Sequence, residues 1–191
     1  MTTKLSQIIL IRHGESETNK ENSHRHLTMA GKQQVTIQAE KLNKLIRLSK
    51  SVIVTTDTNR TKETANILAK KLKINEIALR DLEISGFSKF AKSAKSPVRD
   101  YFKLLKGVGF SKIVDTPVKC LSQFENILNK FKDTADILIL VGHGGILDSI
   151  INFHPLFDSN AKMKLPLKYA DFIQQKFDNK PQSKLNASII K

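Results

Sequence analysis

The chain holds one cysteine, Cys120, no tryptophan and two tyrosines. A single cysteine excludes an internal disulfide and fits a reducing compartment, so a cytoplasmic location is expected. With two tyrosines and no tryptophan a stacking platform for bases is poorly supplied, and no nucleic-acid-binding motif is found, so nucleic acid is not an expected partner. No apolar run approaches bilayer length. The N-terminal MTTKLSQIILIRHGE is apolar only briefly, is broken by Arg12 and lacks a small-residue cleavage site, so no signal peptide is expected. Acidic residues are also scarce: 18 against 32 basic ones, giving a net charge of +14 and a pI near 9.9. Such a balance attracts polyanions and phosphorylated small molecules. Much of it lies at Lys41, Lys44, Lys62, Lys70, Lys71 and Lys73, where solvated helix surface accounts for it. Charge therefore yields a preference for anionic ligands and nothing finer.

What is present describes an ordinary globular chain. At 191 residues, 40% hydrophobic and 26% charged, one domain over 1–191 is expected. QIILIR (7–12) reads as a buried strand ending at a glycine turn. Residues 27–48 turn helical, with Thr28 as N-cap and Val35, Ile37, Leu42, Leu45 and Ile46 as the apolar face. SVIVTT (51–56) is a second buried strand, followed by a helix over 58–72 with Ala65, Ile67, Leu68 and Leu72 toward the core. After a short strand near 76–80 comes a Ser/Lys-rich stretch, read as a basic insertion or lid at about 84–115 with one short helix near 98–105. A helix over 116–132, capped by Thr116, presents Leu121, Phe124, Leu128 and Phe131 on one face and places Cys120 inside. DILILVGHGG (136–145) is the third strong strand, and ILDSIINFH (146–154) starts another helix. The C-terminal portion is ambiguous, with 184–191 a candidate edge strand. Strands alternating with helices imply a parallel α/β sheet.

Two strands end alike, ILIRHGE at His13 and ILVGHGG at His143. Ligands of open parallel sheets bind beyond the carboxyl ends of the strands, so both histidines should face one crevice. Gly14 and Gly144 let the backbone turn N–H groups toward an anion, and the helix after His143 adds its positive end. Arg12 and Arg60 could converge there as bidentate phosphate clamps. Arg60 has a second reading, as a first-turn helix residue paired with Glu63. SHRH (23–26) sets His24 and His26 around Arg25; with no supporting carboxylate or histidine cluster it reads as a substrate-facing basic loop, and no metal is expected. GESETNK (14–20) lacks the second glycine of a Walker-type loop, and no cofactor is expected.

These residues carry a resemblance. RHGESETN (12–19) resembles the RHGE-x-x-x-N signature of the histidine phosphatase superfamily, which includes the phosphoglycerate mutases. LTMAGKQQ (27–34), TDTNRTKETA (56–65), DLEISGF (81–87) and VGHGG (141–145) are similar to the family's later segments, in the family's order. The resemblance implies a three-layer α/β/α fold with a mostly parallel central sheet. It implies His13 as a nucleophile that forms a phosphohistidine, with Arg12, Arg60, His143 and the Gly144 turn on the phosphoryl oxygens and Asn19 at the rim. Glu83, otherwise a solvated loop carboxylate, becomes the general acid, with Asp81 as the fallback.

Several positions depart from the pattern. Thr56 stands where serine is usual and Thr18 where many members place tryptophan. GFSKFAKSAK (86–95) is basic where the family often continues toward a Trp-Glu-Gly-like run. The chain is short for a phosphoglycerate mutase, which favours a metal-independent phosphatase acting on a phosphorylated small molecule or phosphoprotein. The alternatives are a mutase-type phosphotransferase and a weakly active polyanion-binding or phosphoprotein-binding module. A cysteine phosphatase is excluded because the sixth position after Cys120 is Asn126 rather than arginine. The lysines of 89–106 suggest a substrate with more than one anionic group, in which case charge reversal at Lys89, Lys92 and Lys95 raises KM. The sequence does not specify an oligomeric state.

Overall fold

The structure, a computed structural model, describes residues 5–18, 24–46, 50–80, 115–158, 160–161 and 167–177. Asn19, Asp81, Glu83, the expected insertion up to residue 114 and the candidate strand at 184–191 lie outside the described residues.

β1 (Gln7–Arg12), β2 (Ser51–Thr55), β3 (Ile77–Leu79), β4 (Ile137–Gly142) and β5 (Phe172–Lys176) form one sheet in the order β3-β2-β4-β1-β5. β1, β4, β2 and β3 pair in parallel, and β5 pairs antiparallel to β1 at the edge. The helices are α1 (Met29–Asn43), α2 (Asn59–Leu72), α3 (Asp115–Phe131) and α4 (Gly144–Phe153). The three strong apolar runs of the sequence are the three central strands. They read as continuous apolar runs because both faces of the sheet are covered.

Alternation along the strands sorts the core into two halves. Ile9, Ile11, Ile53, Ile139 and Val141 pack toward Val35, Ala39 and Leu42 of α1 and Ala65 and Leu68 of α2. Ile8, Leu10, Val52, Val54, Leu138 and Leu140 pack toward Phe124, Ile127 and Leu128 of α3 and Leu147, Ile150 and Ile151 of α4. The result is a mostly parallel sheet between two helical layers. Each fully buried leucine or isoleucine contributes about 1.5–3 kcal/mol.

Two local expectations are corrected, the extent and face of α1 and the start of α4. α1 ends at Asn43 rather than running to residue 48, and Ile37 and Leu45 are 46% and 44% exposed. Ala39 takes the inward place between Val35 and Leu42, since a stripe that touches a close-packed sheet accepts small residues as readily as large ones. α4 begins at Gly144, two residues before the expected start, so His143 itself is its N-cap. β5, which carries polar residues and lies at an edge, had no distinct apolar signal. Thr28 does cap α1, accepting from the Gly31 N–H at 3.0 Å. Cys120 is fully buried, and burial pushes its thiol up to about 12, which leaves it inert at neutral pH.

Candidate active site

The sheet register brings the site together. Arg12 on β1 pairs with Gly142 on β4, so the next residue of each strand, His13 and His143, leaves the sheet at the same level. The His13 N–H donates to Gly142 O at 3.0 Å, and the two rings meet edge to face with centroids 5.2 Å apart. β2 flanks β4 on the other side, and α2 starts beyond its carboxyl end. Arg60, in the first turn of α2 and only 4% exposed, reaches both rings. Its Nε–H donates to His13 Nε2 at 3.2 Å and a terminal nitrogen donates to His143 Nδ1 at 3.2 Å.

These bonds set the tautomers. His13 Nδ1 lies 2.7 Å from Gly14 O, a group that can only accept, so Nδ1 carries the proton and Nε2 carries the lone pair. His143 accepts from Arg60 at Nδ1, so its proton sits on Nε2, which faces Thr56 Oγ1 at 3.4 Å. Thr56 in turn donates to Thr61 Oγ1 at 3.0 Å, and Thr61 donates back to Thr56 O at 2.8 Å. Burial, followed by the Arg60, Arg12 and Arg25 charges, pushes His13 down to about 3 despite its favourable bond to Gly14. Burial first, then His13 and the same three arginines, holds His143 well below the ordinary histidine range. Both imidazoles are therefore neutral in the unliganded site. Arg60 is itself lowered to about 10, by burial and then by Arg25 among its cationic neighbours, and it stays charged at neutral pH. A neutral imidazole under three cations is the electrostatic complement of a phosphate dianion.

Arg12 approaches from β1. It donates to Leu167 O at 2.6 Å and lies 4.2 Å above the centroid of the Tyr169 ring, which also sits 5.7 Å from the His13 ring. Gly144 makes room for it: a Cβ there would stand 3.1 Å from the guanidinium carbon. Gly144 and Gly145 also open α4, where first-turn N–H groups have no intrahelical acceptor.

The turn after His13 is held by contacts that leave no space for side chains. A Cβ on Gly31 would fall 2.0 Å from Glu15 O, and one on Gly14 would fall 2.5 Å from Gly31 O. The Gly14 N–H donates to Thr64 Oγ1 at 3.3 Å, Glu15 N–H to Gln34 Oε1 at 3.0 Å, and Thr28 Oγ1 to Glu15 Oε1 at 2.9 Å. Beside it, Arg25 donates to Glu17 O and, at 3.1 Å, to Ser16 Oγ. Glu63, the other partner considered for Arg60, accepts from the Leu27 N–H at 2.9 Å and bonds His26.

Arg12, His13, Arg60, His143 and Gly144 thus gather at one place. Asn19 and Glu83 lie outside the described residues. Sequence reasoning missed Tyr169, Thr56 as a hydrogen-bonding group, and the loop-anchoring role of Arg25. The SHRH stretch carried a signal for Arg25; Tyr169 had none, since it follows an ambiguous segment. Among the described residues no group of three His, Cys, Asp or Glu could hold a metal, and no helix is long and apolar enough to cross a membrane.

Similar architectures occur among solved structures. A phosphoglycerate mutase from Bacillus anthracis str. Sterne superposes with a TM-score of 0.64 at 17% identity, covering 93% of this chain and 90% of that one. A phosphoserine phosphatase mutant from Entamoeba histolytica, in complex with phosphoserine, gives 0.59 at 21% identity over 89% and 90%. A mycobacterial glucosyl-3-phosphoglycerate phosphatase gives 0.55 at 15% identity over 88% and 89%. At these identities the likeness establishes the fold alone. No curated protein sequence matches the chain. The family is shown by the sequence itself, which matches the Histidine phosphatase superfamily (branch 1) over residues 8–183, and the chain belongs to that superfamily, whose members support a phosphatase or phosphotransferase role.

Proposed function

We propose that the protein is a phosphatase that hydrolyses a phosphomonoester or phosphoramidate through a phosphohistidine on His13. The observation that carries this reading is the Nδ1–H bond of His13 to Gly14 O, which leaves a lone pair on Nε2 beside Arg60 and His143. In the free site Arg60 donates to that lone pair. An arriving phosphoryl group offers Arg60 better acceptors, and its transfer to those oxygens frees Nε2 to attack in line. The Nε2–P bond forms as the bond from phosphorus to the leaving oxygen (nitrogen in a phosphoramidate) breaks, with Arg12 and Arg60 on the equatorial oxygens and His143 joining them as a charged donor in the transition state, its Nδ1 protonated once Arg60 has turned to the phosphate. Glu83 gives its proton to the leaving oxygen, then takes one from the water that breaks the Nε2–P bond. Gly144 N–H and Asn19 complete the phosphate shell. The substrate is a phosphorylated small molecule or phosphoprotein.

The test is hydrolysis of an aryl phosphate in the presence of EDTA, with rapid quenching to trap the adduct. We expect turnover, an acid-labile and alkali-stable phosphate on His13 Nε2, and loss of both in His13→Ala. Equal activity of the wild type and His13→Ala would overturn the reading. Transfer of the phosphoryl group to an added alcohol acceptor in preference to water would instead favour a mutase-type reaction.

A further inference from the structure

Asp148 lies inside α4, five residues beyond His143, and is fully buried. No motif singled it out, and no step above uses it. One of its oxygens, Oδ1, accepts the Leu167 N–H at 3.1 Å. The other, Oδ2, is buried and has no hydrogen-bond partner among the described residues, an arrangement that is costly unless it serves a purpose. The same residue, Leu167, turns its carbonyl to Arg12, 2.6 Å from a terminal guanidinium nitrogen. Arg12 Nε is likewise buried and without a partner among the described residues, and the Arg12 charge acts directly on the Asp148 carboxyl.

Leu167 opens a short turn that is pinned to the end of β1 at several points. The Arg12 N–H donates to Asp171 O at 3.0 Å and the Ala170 N–H donates to His13 O at 3.2 Å. Ala170 has φ 59°, a left-handed conformation that a residue with a Cβ adopts only when its surroundings demand it. Between these points Tyr169 presents its ring to both Arg12 and His13. Among the described residues Arg12 therefore has no carboxylate bonded to it. It is oriented by a backbone carbonyl and an aromatic face, both belonging to a turn whose first residue is held by Asp148.

We propose that Asp148 is a positioning residue for phosphate binding: by holding the Leu167 N–H it sets the turn 167–171, and through that turn it aims the Arg12 guanidinium at the phosphoryl group. The arrangement keeps a negative charge close enough to offset part of the Arg12 cation without occupying the donors that the phosphate needs. A direct Asp–Arg pair would compete with the substrate; a relay through Leu167 does not. Burial raises the Asp148 carboxyl to about 7, which keeps the offset partial near neutral pH. This inference rests on Arg12 being a phosphate ligand, as proposed above.

The experiment is titration calorimetry with inorganic phosphate on the wild type, Arg12→Ala, Asp148→Ala, the double variant and Asp148→Asn, each checked by thermal melting. We expect Asp148→Ala to weaken phosphate binding about tenfold, and the double variant to bind no more weakly than Arg12→Ala alone. Asp148→Asn keeps an acceptor for the Leu167 N–H and should recover most of the lost affinity. If Asp148→Ala does not fold, Asp148→Val, which fills the space but accepts no hydrogen bond, carries the same cycle. Wild-type affinity in the Asp148 variant, or losses that multiply in the double variant, would overturn the positioning role while leaving the Arg12 reading intact. Unchanged phosphate affinity in Arg12→Ala would overturn both.

Discussion

Arg60 donates to His13 Nε2 at 3.2 Å across a separation of 47 residues, and the same guanidinium reaches His143 at 3.2 Å across 83. One side chain thus touches the candidate nucleophile and its partner ring at once. Its planar fork makes this possible, and an ammonium group lacks the second fixed donor. Arg60→Ala should lower kcat by roughly 10²-fold or more on an aryl phosphate, and Arg60→Lys should recover little of it. Steady-state kinetics check this, and a fully active Arg60→Lys would show that the fork is not needed.

The depressed His13 has a consequence for activity. With the ring lowered to about 3, Nε2 is unprotonated while Nδ1 keeps its hydrogen, so the candidate nucleophile stays available through the mildly acidic range. After allowing for substrate ionisation, kcat/KM should show no acid limb near 6.5, the ordinary histidine value. A limb at 6.5 that disappears on substitution of His143 would show that the resting site is protonated.

Stability should move the other way. His13 and His143 hold folded-state values below their unfolded value, so the unfolded chain binds more protons once pH drops below about 6.5. Their contribution is complete above that pH and is lost as pH falls toward the folded values, at about 1.4 kcal/mol per pH unit for each ring. Asp148, raised to about 7, opposes this because its folded form takes up protons first. Urea unfolding at pH 7.5, 6.0 and 5.0 should therefore give a decline that is markedly shallower in the His13→Gln/His143→Gln variant. An equal slope in both proteins would refute the assignment.

The contact between α1 and the loop after His13 predicts a strict requirement at Gly31. Gly31→Ala sets a methyl 2.0 Å from Glu15 O, a backbone atom that must move and carries the His13 turn with it. We expect a loss of roughly 1–3 kcal/mol and reduced kcat together. Thermal melting and kinetics on the same sample decide it. A variant of normal stability and rate would mean that the loop yields freely.

Much of this was legible along the chain. The runs QIILIR, SVIVT and ILILVG are apolar on both faces, and only a strand covered on both sides has use for that pattern, so local composition by itself determined a buried parallel sheet. Each of β1 and β4 stops at a histidine followed by glycine, which determined that two imidazoles would stand at strand ends. The tertiary structure decided which groups those rings meet. Arg60 had Glu63 three residues away as a ready partner, and it is the insertion of β4 between β1 and β2 that turns Arg60 toward the histidines instead. Likewise Ile37 and Leu45 had the spacing of core residues, but the sheet surface was already filled by Val35, Ala39 and Leu42. Tyr169, Leu167 and Asp148 carried no periodic signal at all, because a turn that aims an arginine 155 residues away is defined by strand order and not by its own composition. Periodicity is a local property of the chain, and a candidate site assembled from the ends of several strands is not.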